Sequence, residues 1–126
     1  VALNGGRRVR VLTVLDLHTR ESLAIRAGHR FSAEMVAAVL DDVVGTRGPP
    51  ATVRVDNGPE FAGRTLDLWA YGRSVALDFS RPGKPTDNAF IESFHGRLRD
   101  ECLNTHWFLC LDDVQAATKS WREEYN

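Results

Sequence analysis

The sequence is short of several things, and each shortage narrows what the protein can be. Its 126 residues hold two cysteines, Cys102 and Cys110, too few for a disulfide framework and in keeping with a reducing cytosol. No apolar run approaches the ~20 residues that span a bilayer, and the start carries no signal-peptide pattern. Charge is nearly balanced, 16 Lys and Arg against 17 Asp and Glu for a net −1. Any nucleic-acid contact must therefore come from a local basic patch, which counts against a free-standing DNA-binding module. Aromatic residues make up only 9%, and they do not alternate with basic residues as a surface for stacking single-stranded bases would. Trp69, Trp107 and Trp121, with Phe61 and Phe79, read instead as core or docking residues. Internal repeats and low-complexity tracts are also lacking.

What is present is a globular composition, 43% hydrophobic and 26% charged, in a chain long enough to bury one core. Asn4-Gly5-Gly6 is a hairpin signal, followed by a β-branched strand from Val9 to Leu15 and, after a turn at 16–20, a second strand in "ESLAIRAG". Ser32 caps a helix expected to run to about Val44, with Met35, Val36, Val39, Leu40 and Val43 on one stripe. "ATVRV" and "VALDF" read as strands, separated by a helix over about 63–71. The two prolines and the glycine of "SRPGKPT" make a loop. A third helix is expected from about Asp87 to Leu103, and a last one capped by Asp112 or Asp113. Strands alternating with helices behind an antiparallel hairpin define an α/β class. Cys102, His106 and Cys110, four residues apart, match no complete zinc pattern and read as packing positions.

Two carboxylates stand out. In "VRVDNGPEF" a strand delivers Asp56 to an abrupt turn at Asn57-Gly58-Pro59, as a turn cap or as one ligand of a metal site. On the third helix, Phe90, Ile91, Phe94 and Leu98 form the core stripe, while Asn88, Glu92, His95, Gly96 and Arg99 share another face. Spacing alone leaves Glu92 as either a solvated charge or a functional acid. Gly96 costs the helix up to ~1 kcal/mol relative to alanine and leaves room beside that acid.

"VDNGPEF" followed by "DFSRPGKPTDNAFIESFHGRLRDECLN" resembles the catalytic core of insertion-sequence transposases of the IS3 type. These are similar to retroviral integrases and share their RNase H-like fold, a mixed central sheet flanked by helices. The resemblance implies that Asp56 and Glu92 are the second and third acids of an Asp-Asp-Glu triad, holding Mg²⁺ (with Mn²⁺ as a substitute) for DNA cleavage and strand transfer. It places the first strand and its aspartate before Val1, so residues 1–126 are expected to be a single core, cut at both ends, without a second domain and inactive alone. Arg81, Lys84, Arg97, Arg99 and His95 become candidate DNA contacts, and Asn57, Asn88 and Asp16 candidates for holding the acids in place. Asp16 suits its turn as a structural residue. The implied partners are DNA, both element ends and target, and further copies of the intact protein. The implied setting is the bacterial cytoplasm at the nucleoid, not a membrane. A non-catalytic remnant that binds DNA or a partner, and an RNase H-like nuclease, are the alternative readings.

Overall fold

The computed structural model describes residues 6–54, 63–78, 85–105 and 107–126, with side chains from 89 onward in the third of these segments. The elements, in order, are β1 (Arg10–Leu15), β2 (Ser22–Gly28), α1 (Ala33–Arg47), β3 (Thr52–Arg54), α2 (Arg64–Gly72), β4 (Ala76–Asp78), α3 (Pro85–Leu98), a five-residue π-helical segment (Arg99–Leu103) and α4 (Leu111–Tyr125). They fall into two compact units, Val1–Arg30 with Pro82–Asn126, and Phe31–Arg81. Among the described residues, β1 pairs antiparallel with β2, and β3 pairs parallel with β4. Among the described residues the two pairings form separate two-stranded sheets, not the single mixed central sheet expected, while the class remains α/β. No described helix is long and apolar enough to cross a membrane.

In the first unit, alternation decides which side of the hairpin is covered. Val11 and Leu15 of β1 and Ile25 of β2 turn to one face, where Phe94, Leu98, Cys102 and Trp121 complete the core. A second cluster of Val9, Phe108 and Val114 extends it through Val11, Leu103 and Ala117. Phe94 is the hub. It meets Trp121 edge-on at 5.4 Å and Tyr125 at 5.1 Å, while those two rings stack at 5.2 Å. Burying such a ring stabilises by ~1.5–3 kcal/mol. Trp121 belongs to this core, whereas Trp107 is 89% exposed, and Phe61 and Phe79 lie outside the described residues. Cys102 is buried, which pushes its thiol pKa up, and Cys110 is exposed.

The second unit packs α1 on α2, burying Val36, Val39 and Leu40 of the one and Leu66, Trp69 and Ala70 of the other. Trp69 Nε1 donates to Asp41 Oδ1 at 2.8 Å, and Arg73 pairs with the same oxygen at 2.6 Å. At the ends of the parallel strands, Arg54 faces Asp78 at 3.7 Å.

Boundaries differ from sequence expectation where side chains chose other partners. Ser32 caps α1 as expected, its Oγ accepting from Met35 N–H at 3.2 Å. The helix then passes through Gly45 and stops at Gly48, whose φ of 81° suits glycine. Neither aspartate caps α4. Cys110 holds the cap position, and Asp113 reaches back to accept from Leu109 N–H at 3.0 Å. The third helix begins two residues early, at Pro85, a residue whose fixed φ suits a first turn. It reaches Leu103 only by widening, and Asn104 N–H donates to Arg99 C=O at 2.8 Å across five residues.

Candidate active site

Glu92 stands on α3, exposed to solvent. The helix is fixed by Phe94 and Leu98, 1% and 3% exposed, on the opposite side. Glu92 makes no hydrogen bond or ion pair with any described residue. One turn later Gly96 leaves open space, since a Cβ there would meet nothing within 4 Å. His95 and Arg99 are exposed on the same face. A carboxylate on a buried scaffold, with room beside it and the Arg99 cation two turns along the same face, is able to accept a hard ion and a phosphate backbone.

Two contacts tie this helix to the hairpin. Thr13 Oγ1 of β1 lies 3.0 Å from His95 Nε2. The Arg20 guanidinium sits 4.5 Å above the Phe90 ring. Neither Thr13 nor Arg20 was singled out by sequence. The signal for Thr13 was legible, because it is the one hydroxyl in the inward series Val9, Val11, Thr13, Leu15. Its partner, 82 residues away, was not.

Arg97 points to another use. Its guanidinium bonds Glu101 at 3.0 Å and lies 5.2 Å from the Tyr125 ring. Glu101 also accepts from Trp121 Nε1 at 3.1 Å. The bonds from Arg97 and then Trp121 lower the Glu101 pKa, and Glu101 in turn raises that of Arg97. Asp16 serves its turn, with Oδ1 accepting from His18 N–H at 2.8 Å and Thr19 N–H at 3.0 Å. That is the structural part its sequence position suggested. Asn88 lies within α3. Asp56, Asn57, Arg81 and Lys84 lie outside the described residues, as does His106. Among the described residues no group of three or more His, Cys, Asp or Glu is gathered as a metal site.

The fold has known counterparts. A chain of the simian T-cell lymphotropic virus intasome, solved by electron cryomicroscopy with the PP2A regulatory subunit B56 gamma, superposes with a TM-score of 0.52 at 14% identity, over 73% of this chain and 38% of that one. That likeness places the chain in the RNase H-like α/β class of integrase folds. Integrase core domain families match residues 1–85 and 73–126. The uncharacterised 31.7 kDa protein of insertion element IS407 from Burkholderia multivorans is 50% identical over 99% of this chain and 45% of its own length. The uncharacterised 39.2 kDa protein of insertion element IS476 from Xanthomonas euvesicatoria is 45% identical over 99% of this chain and 36% of its own length. The chain therefore belongs to the integrase core family, in its insertion-sequence transposase branch. It spans less than half the length of these two relatives.

Proposed function

We propose that residues 1–126 form the catalytic core of a transposase that cuts DNA and transfers strands with a divalent metal held by carboxylates. The observation that carries this reading is Glu92, an exposed acid without a described partner, mounted on a helix whose other side is buried, in a chain of the integrase core family. Carboxylate oxygens are the donors that Mg²⁺ prefers, with Mn²⁺ as its substitute, so Asp56 and Glu92 have the right chemistry to hold it. Bound there, the metal supplies positive charge to the attacking and leaving oxygens of the phosphodiester.

The chain's own residues do the rest. Phe94 and Leu98 hold α3 rigid, so Glu92 presents its oxygens without reorganisation. Arg99, with Arg81 and Lys84, contacts backbone phosphates, which supplies position and salt-dependent affinity instead of sequence readout. Arg97 is engaged by Glu101 and contributes first to packing α4. Asn57 and Asn88 orient the two acids. By resemblance a third acid joins Asp56 and Glu92 in the triad. The intact protein works as a multimer on paired element ends and target DNA.

The test is joining of labelled element ends in Mg²⁺ or Mn²⁺ by the chain alone, by a form extended upstream, and by that form carrying Glu92→Gln. Joining by the unsubstituted extension alone establishes the reading. Joining that survives Glu92→Gln overturns the assignment of Glu92, and silence from all three with terminal DNA supplied favours a non-catalytic role.

A further inference from the structure

Glu92 lies between two attachments of α3 to the same hairpin. Two residues before it, Phe90 sits under Arg20, in the turn that follows β1. Three residues after it, His95 bonds Thr13, in the middle of β1. The helix therefore runs along β1 with its start toward the turn, and Glu92, exposed to solvent, stands between the two attachments. Phe94 and Leu98 hold the helix to the same hairpin by apolar packing with Val11, Leu15 and Ile25. Apolar packing of that kind resists separation well but resists small rotations about the helix axis poorly, because it is non-directional. A hydrogen bond is directional and fixes rotation. The Thr13–His95 bond is made three residues after the acid, so it can fix the roll of the turn that carries Glu92. A metal-holding group tolerates ~0.5 Å and 10–20° of error. Thr13 is itself stiff: its β-branched side chain has few rotamers, so the hydroxyl is aimed by the strand.

We propose that Thr13 is a positioning residue for Glu92, acting through His95 to set the rotation of α3 and so the direction in which the carboxylate is presented. This rests on the reading of Glu92 as a metal-holding acid. It changes the part assigned to His95 from a DNA contact to a strut within the protein.

The experiment is Mn²⁺ titration of the 126-residue chain, read by paramagnetic broadening of the amide signals around Glu92, with thermal unfolding measured on the same samples. Thr13→Val, which keeps shape and removes the hydroxyl, is expected to weaken Mn²⁺ binding ~10-fold, the loss typical of removing a group that orients a ligand. Thr13→Ser restores wild-type binding. His95→Leu reproduces the loss, and the double variant Thr13→Val with His95→Leu is no weaker than either single change. Should Thr13→Val fail to fold, His95→Leu against Thr13→Ser decides in the same way. Wild-type Mn²⁺ binding by Thr13→Val, when Glu92→Gln has lost it, overturns the positioning proposal alone. So do losses that simply add in the double variant. Undiminished binding by Glu92→Gln overturns the metal-holding reading and the proposal with it.

Discussion

Asn126 holds Ser22 by both backbone groups: Ser22 N–H donates to Oδ1 at 2.8 Å, and Nδ2 donates to the Ser22 C=O at 2.8 Å. The same pattern recurs along α4. Arg122 donates to the Ser22 C=O at 3.0 Å. Gln115 takes Ala27 N–H on Oε1 and gives Nε2 to the Ile25 C=O, each at 2.8 Å. An amide side chain thus does for β2 what a neighbouring strand would do, and α4 covers an edge that would otherwise invite another chain.

Gln115→Ala is expected to destabilise the chain by ~1–3 kcal/mol, the cost of leaving buried backbone groups unpaired. Urea unfolding measures the loss. Sedimentation of the same variant should show more self-association than the wild type does, and Gln115→Glu, which cannot donate to Ile25, should behave alike.

Ser22 offers the opposite sign. Its backbone is well served, but its hydroxyl is buried with no partner among the described residues. Ser22→Ala removes an unpaired polar atom and leaves the backbone bonds intact, so stability should rise by up to ~1 kcal/mol. A urea midpoint equal to or below that of wild type would show that the hydroxyl is satisfied by other means.

The Arg97–Glu101–Trp121 group should give the fold an acid dependence. Glu101 has a folded-state pKa below its ordinary value. Its contribution is therefore present above the unfolded carboxyl pKa of ~4.3, and it is lost as pH falls through the folded value. Thermal unfolding of wild type should drop more steeply below about pH 4.5 than that of Glu101→Gln, and the two curves should converge in strong acid. Because the pair is exposed, added salt should narrow the gap.

The order of elements was legible because punctuation and period agreed. Ser32 before an apolar stripe carries its own mechanism, as does the β-branched run that became β1, while the hairpin signal at Asn4-Gly5 lies outside the described residues. What was not legible was competition between side chains. Asp113 suited a cap in isolation, yet its carboxylate serves Leu109 and leaves the cap position to Cys110. The widening at Arg99–Leu103 has no proline or glycine to announce it. On the functional side, Glu92 and its companions on one face of α3 followed from helical spacing. The strut from Thr13 could not follow from spacing, because it depends on which strand the helix meets.

The π-helical segment has a consequence for how this chain can vary. A regular helix turns about 100° per residue, and the extra residue here acts as a phase shifter between the face that carries Glu92, His95 and Arg99 and the stretch that sends Cys102 and Leu103 into the core. Upstream and downstream faces are thereby aimed independently. Loss of one residue anywhere in 99–103 would restore an unbroken spiral and set the two out of step, turning either the acid from its present direction or the core residues toward water.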